Sequence, residues 1–254
     1  MKHAKHVCKI LLIALFWIAV WGFAAWKMGK PLLFPTPLGV LRTLAELMKT
    51  PQFYSITLRS LGNVLCGILL AVFGGIVLTA MTSHISLVRE LILPIMTVIK
   101  ATPVASFIIL ALVWISRGKL PVFIAALMVL PIIWTNIEQG IQQIDPKLLE
   151  MAKVYRFSPL KRLIHITIPS ILPYFAAACK TSLGLAWKAG IAAEVLATPS
   201  NSIGKELFEA KTFMETTDLF AWTLTVILLS ICMEKLFFML LRLLLRQTHT
   251  GGLS

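Results

Sequence analysis

The chain has 254 residues, 58% of them hydrophobic and only 14% charged, where soluble domains average about 45–50% apolar and about 25% charged. The apolar content excludes disorder, and four cysteines are too sparse for a disulfide scaffold. The net charge is +13, but the basic residues sit between long apolar runs and not on a polar domain, which excludes a nucleic-acid surface.

Division by the roughly 20 residues that a helix needs to cross a bilayer gives six spans. The first is Ile10–Trp26, 17 uncharged residues between Lys9 and Lys27. Its basic start (Lys2, Lys5, Lys9) also fits a signal peptide with a site after Ala25, although the chain downstream is itself membranous. The others are Leu58–Met81, Leu87–Ile115, Pro121–Ile141, Ile168–Ala197 and Leu219–Leu241. Pro94 and Pro103 remove backbone donors from the third, which makes it the span to expect interrupted. The runs lack the alternation of an outer-membrane barrel. The expected fold class is an all-α integral membrane protein with about six transmembrane helices.

Lys and Arg near the helix ends set the orientation. With a cytoplasmic N-terminus, eleven fall inside, eight outside and five within spans, of a total of 24. That bias is modest and places both termini in the cytoplasm. The segments are then an N-terminal helix (1–28), an external segment (29–55), a core (56–246) with a cytoplasmic loop (142–167), and a cytoplasmic tail (247–254).

In the external segment, Pro31, Pro35 and Pro37 give an extended entry. Thr36 or Pro37 then begins a short amphipathic helix with Leu38, Leu41, Leu44, Ala45 and Met48 at helical spacing, suited to lie on the membrane surface. A second external stretch, Thr198–Asp218, is polar and predicts a short helix after Gly204.

The cytoplasmic loop reads DPKLLEMAKVYRFSPLKRLIHITIP. Asp145 caps a helix whose first position is Pro146, with Leu148, Leu149 and Ala152 on its apolar side. Ser158-Pro159 starts a second short helix by the same logic, carrying Leu160, Leu163 and Ile164. Two short helices with an apolar stripe on the cytoplasmic face of a bundle are suited to dock into a partner. The alternative is a linker lying on its own bundle.

Glu150-Met151-Ala152-x-x-x-Arg156, then nine residues, then Ile166-x-Ile168-Pro169, resembles the EAA loop of ABC importer permeases, E-A-A-x-x-x-G, nine residues, I-x-L-P. The departures are Met151 for Ala, Arg156 for Gly and Ile168 for Leu. Arg156 must take the turn between the helices without glycine's freedom, or the turn forms differently. FPTPLGVLRTLAEL, SITLRSLGNVLCGILLAVFGGIVLTA, VIKATPVAS, LGLAWKAGIAAEVL and SIGKELFEA resemble the nitrate/sulfonate/taurine branch of the type I permeases. The resemblance implies a five-helix core plus an extra N-terminal helix, assembled as a homodimer. It also implies two cytoplasmic ABC ATPase subunits, an external substrate-binding protein and a bacterial cytoplasmic membrane. Its substrates are small polar solutes, either sulfonate-, taurine- or nitrate-like anions or nitrogen-ring vitamin precursors. The acidic motif residue maps to Glu150. Asp145, Leu149, Glu150, Ala152, Arg156, Ser158, Ile166 and Pro169 are then the ATPase-coupling residues.

The sequence contains no G-x-x-x-x-G-K-[ST]: Gly204-Lys205 is followed by Glu206, and Pro199 stands where the first Gly belongs. No cofactor is therefore expected in this chain, and ATP and Mg belong to a partner ATPase. The five His and four Cys have neither metal nor catalytic spacing, so an enzyme is not expected.

Charge within a span costs a few kcal/mol and faces a partner or a water-filled cavity. Arg59, Lys180 and Glu234–Lys235 lie near enough to span ends to snorkel or pair locally. Lys100, Thr102 and Pro103 at the proline break, and Trp187, Lys188 and Glu194 in the fifth span, are candidates for the translocation path. The i+4 stripes Asn63–Gly67–Ala71–Gly75–Thr79 and Ala178–Ser182–Ala186–Gly190–Glu194 read as helix packing. A second hypothesis, a self-sufficient secondary transporter or channel, needs Glu138 and Glu194 as proton or ion carriers.

Overall fold

The computed structural model describes the backbone of residues 2–30 and 32–250, with side chains for residue 9 and residues 12–30 and 32–239. Pro31, the end of the tail and the side chains of Lys2, Lys5, Arg242 and Arg246 lie outside the described residues. Among those residues there are helices and no strands.

Helix α1 (Lys2–Met28) has a described apolar part of Leu12–Met28. The Trp21 indole N–H donates to the Pro35 carbonyl (3.1 Å), fastening α1 to the segment that follows. In α2 (Pro37–Leu47), Thr36 is the N-cap and accepts from the Gly39 amide, with Pro37 in the first turn. The expected amphipathic face needs correction. Val40 and Leu44 are the residues buried, and the helix packs on the last span. Leu38, Leu41 and Met48 form a second apolar face that stays exposed.

Among the described residues, four helices have the length and apolarity to cross a membrane. They are α3 (Pro51–His84), α6 (Leu120–Gln142), α9 (Ile168–Ala197) with the residues that lead into it, and α11 (Thr216–Thr250). Between α3 and α6 lies the expected interrupted span. It is two helices, α4 (Ser86–Ala101) and α5 (Val104–Ala111), bent by 106°. The two prolines act differently. Pro94 is accommodated within α4, while Pro103 stops it, because the residue before a proline is pushed to extended backbone; Thr102 has ψ 133°.

Helix α6 occupies the centre, with α3 on one side and α9 on the other. The small-residue stripes make this possible. A Cβ on Gly67 would lie 2.6 Å from the Val122 carbonyl oxygen and 2.7 Å from Ala125 Cβ, so only glycine permits that approach of α3 to α6. Ala178, Ser182, Ala186, Gly190 and Glu194 are likewise all buried. Around them Ile56, Val64, Val129, Ile133, Ala186 and Trp187 form one apolar cluster. Met96, Ile99, Ile108 and Ala111 of the broken pair join Ile124 and Met128 of α6 and Ala189 and Ala193 of α9 in another.

The loop after α6 contains α7 (Pro146–Val154) and α8 (Pro159–Arg162). The second loop helix does not stand alone as expected. It runs through a π-helical turn, Leu163–Thr167, directly into α9. Pro169 lacks an N–H and its ring crowds the His165 carbonyl, and the wider turn just before it absorbs that clash, with the Ile168 amide donating to Leu163. Helix α10 (Ile203–Thr212) begins before Gly204, not after it as expected.

Candidate functional site

The loop motif is held by its caps and by a small core of its own. Asp145 accepts from the Lys147 amide at 2.9 Å and Ser158 from the Lys161 amide at 3.3 Å, as their positions before Pro146 and Pro159 foretold. Arg156 has φ +51°, so the family's glycine position is left-handed here and an arginine occupies it. Around it the Arg156 amide donates to the Lys153 carbonyl (3.1 Å) and the Phe157 amide to Ala152 (2.9 Å). That is a Schellman ending of α7. Ile144, Ala152 and Ile166 are buried together, with Leu149 and Phe157 packed against them.

Two ends of the motif, Ala152 and Ile166, thus meet inside and fix the angle between the short helices. The outer surface is left open. Val154, Tyr155 and Leu160 are 78%, 72% and 65% exposed. Glu150, Lys153, Arg156, Lys161 and Arg162 surround them, all exposed, and Lys161 also rests on the Phe157 ring. Pro169 sits just past the π turn, where the loop becomes a span.

The candidates within the spans separate into two kinds. Lys100 is exposed and its ammonium donates to the Thr135 hydroxyl (3.0 Å), which in turn donates to the Pro131 carbonyl. Arg89, at the start of α4, pairs with Glu138 at 2.8 Å. These anchors are eleven residues apart on α4 and their partners three apart on α6. Thr102 donates to the Val98 carbonyl at 2.8 Å, and Pro103 opens α5 without a side-chain cap. Lys188 is exposed on α9.

Trp187 and Glu194 lie in the interior. Trp187 is 1% exposed, and its indole N–H donates to the Val226 carbonyl of α11 at 3.0 Å. Glu194 is fully buried. Its Oε2 accepts from the Ser60 hydroxyl at 2.7 Å and from the Gly204 amide at 3.2 Å. Ser60 Oγ accepts from the Ile203 amide at 3.0 Å, and Ser202 Oγ from the Lys205 amide at 3.2 Å. The free amides at the start of α10 are capped one after another by α3, α9 and its own N-cap. Sequence reasoning missed Ser60, Ser202 and Gly204. Ser202, three residues before Lys205 and followed by the run IGKELFEA, was the visible signal. Ser60 had none, because its partner is 134 residues away.

The family described as binding-protein-dependent transport system inner membrane component matches residues 64–249. The chain belongs to this family. A permease protein of Bacillus subtilis named for aliphatic sulfonates transport is 23% identical over 84% of this chain and 78% of its own length. A bicarbonate transport system permease protein of Synechocystis is 31% identical over 61% of this chain and 55% of its own. Among solved structures, a bacterial ABC transporter that imports the acidic polysaccharide alginate has TM-score 0.64 at 15% identity. The match covers 95% of this chain and 96% of that one. An amino acid ABC transporter also reaches 0.64 at 19% identity, over 80% and 97%. The permease is accordingly an all-α, multi-pass inner-membrane subunit of an ABC transporter, a transport component and not an enzyme.

Proposed function

We propose that the permease forms, as a homodimer, the translocation path of an ATP-driven importer with both termini in the cytoplasm. An external binding protein delivers a small polar solute, a sulfonate-, taurine- or nitrate-like anion or a nitrogen-ring vitamin precursor. Two cytoplasmic ATPase subunits bind ATP and Mg and dock on the 142–167 loop. The relatives named for aliphatic sulfonates and for bicarbonate support a small anion within that range.

The observation that carries this reading is the loop. Its inner side is pinned by Ile144, Ala152 and Ile166, while Val154, Tyr155 and Leu160 project apolar surface into the space where a partner would sit. A platform rigid on one side and uncovered on the other transmits force between a motor and a bundle, and the sequence holds no phosphate-binding loop to be that motor itself. In the mechanism, closure of the ATPase pair on ATP pushes α7 and α8, the π turn passes that displacement to α9, and the bundle opens outward to receive solute. Hydrolysis returns it inward. Lys100, Thr102, Pro103 and Lys188 line the route, with exposed ammonium groups that draw an anion. Glu150, exposed on α7, is the acidic contact with the ATPase.

Glu150→Lys tests it. The variant should remain folded in the membrane while losing copurification of the ATPase and ATP-driven uptake by about tenfold or more, a buried charge contact at an interface being worth roughly 2 kcal/mol or more. Unchanged complex yield and uptake would sink the docking role. Transport by the purified permease in liposomes without any ATPase would overturn the importer reading as a whole.

A further inference from the structure

We propose that Glu194 is a positioning residue for transport: through Ser60 and the first amides of α10 it clamps the outer ends of α3, α9 and α10 into one body, against which the broken α4–α5 segment moves. The inference rests on the alternating-access reading above and says which part of the chain supplies the motion.

Three observations carry the clamp. The carboxyl is fully buried, so its contacts are not exchanged for water. Its Oε2 joins three elements at one point: it belongs to α9, accepts from Ser60 of α3 and accepts from Gly204 of α10. The Ile203 amide closes the ring on Ser60. The fit is also steric. A Cβ on Gly204 would come within 2.3 Å of Glu194 Cβ and 2.3 Å of the Val195 amide nitrogen, so α10 is seated on the backbone of α9 with no slack. A second tie lies nearby, where the Ser55 hydroxyl donates to the Asn201 side-chain oxygen at 3.3 Å. Pulling any one of the three elements away would strand polar groups in a dry interior, which holds them together.

The broken segment is held in the opposite manner. Along α4 and α5 only Met96, Ile99, Ile108 and Ala111 are buried. Leu91, Leu93, Val98 and Ile109 are more than half exposed. The polar ties found among the described residues, Arg89–Glu138 and Lys100–Thr135, are long flexible side chains reaching across to α6. A 106° bend at an uncapped proline separates the two helices. Packed elements behave as bistable bodies and hinges absorb the change between them, so motion concentrates at Thr102-Pro103 and not at the clamp.

Spin labels give the test. One pair, Tyr54–Phe208, joins exposed positions on α3 and α10; a second, Tyr54–Trp114, joins α3 to the residues just after α5. In nanodiscs without ATP, the Tyr54–Phe208 distance distribution should be narrow, should broaden in Glu194→Ala, and should narrow again in Glu194→Gln, whose amide oxygen still accepts both hydrogen bonds. Glu194→Ala should also cut uptake about tenfold or more while ATPase copurification is retained, and Glu194→Gln should restore uptake. In the assembled transporter, ATP should shift Tyr54–Trp114 and leave Tyr54–Phe208 in place. A Tyr54–Phe208 distribution indifferent to Glu194→Ala, or one that ATP shifts as far as Tyr54–Trp114, overturns the proposal. If ATP moves neither pair, the proposed motion of α4–α5 is overturned, while ATP-driven uptake still decides the importer reading and the comparison made without ATP still decides the clamp.

Discussion

Gly204→Ala is the substitution for which the structure predicts the largest effect from the smallest change. The added methyl carbon would stand 2.3 Å from Glu194 Cβ, 2.3 Å from the Val195 nitrogen and 2.4 Å from the Glu194 carbonyl carbon. Two of those neighbours are backbone of α9, so no side-chain rotation relieves the clash. Contact distances of about 3.5 Å require α10 to withdraw by roughly 1 Å. The Gly204–Glu194 hydrogen bond is already 3.2 Å long and the Ile203–Ser60 bond 3.0 Å; that withdrawal breaks both. Overpacking costs about 1–3 kcal/mol and each stranded buried amide about 1–3 kcal/mol, against a gain of at most about 1 kcal/mol in helix propensity. The net local destabilisation is about 2–8 kcal/mol. Hydrogen exchange of residues 203–212 in nanodiscs should therefore accelerate about 30-fold or more, while the exchange of α6 stays as it was. Exchange in α10 that is unchanged or slower would refute the reasoning, since it would mean that α10 does not rest on α9 as closely as the distances state.

Three further outcomes follow from other parts of the chain. Arg156→Gly relieves a left-handed residue that costs about 1 kcal/mol, so the loop should gain up to about that amount in thermal unfolding with ATPase copurification intact; a clear loss would show that the guanidinium makes a contact that outweighs the strain. Ile166→Ala empties the small core beneath the loop, where Ile166 is 3% exposed. It should cost about 2–4 kcal/mol locally, read as faster tryptic cleavage at Arg156 and Lys161; unchanged cleavage would refute the packing role. Glu206 in α10 is held above its ordinary value of 4.5, first by burial and then by the Glu209 charge. The folded state therefore binds the proton first, so the stability of α10 should be greatest below about 4.5 and be lost as pH rises through the raised value. Protection of α10 relative to the intrinsic amide exchange rate at each pH that rises on acidification in the wild type but not in Glu206→Gln would bear this out, and an identical pH response in both would refute it.

Much of this architecture was legible because membranes simplify the code. Continuous apolar runs gave α6 and α9 to within a residue at each end and the apolar centres of α3 and α11, whose helices run on past the expected bounds, since backbone groups in lipid must be satisfied inside one helix. Pro103 was readable as a break and Pro94 was not separable from it, because a proline within a helix can be absorbed when its neighbours tolerate the bend. The caps Asp145 and Ser158 were legible as local chemistry. The merging of α8 into α9 was not. It depends on a π turn, whose cause is Pro169 acting on the turn before it and not on its own position. The face of α2 was misjudged for a different reason: spacing gathered Leu38, Leu41, Leu44, Ala45 and Met48 on one apolar face, and only the contact with α11 shows that Val40 and Leu44 are the residues buried. Ser60 lies furthest from view, since its importance comes from a contact between segments more than a hundred residues apart, and Gly204 matters through a close approach of α10 to α9 that no local pattern announces.

The fate of two of the acidic residues within the spans bears on mechanism. A self-sufficient secondary transporter would need a membrane carboxylate free to bind and release its ion, and Glu138 and Glu194 were the two to consider. Glu138 is paired with Arg89 at 2.8 Å, and Glu194 commits an oxygen to the start of α10. Releasing either for each transport cycle would break a tie between helices, α4 to α6 in one case and α9 to α10 in the other. The exposed charges among the path candidates are instead cations, Lys100, which donates to the Thr135 hydroxyl, and Lys188. An ammonium on an open face can meet an anion in transit but supplies no driving gradient of its own. A bundle whose two carboxylates are tied to neighbouring helices, with a loop pinned on one side and uncovered on the other, suits the importer proposed above, in which the motor is a separate subunit.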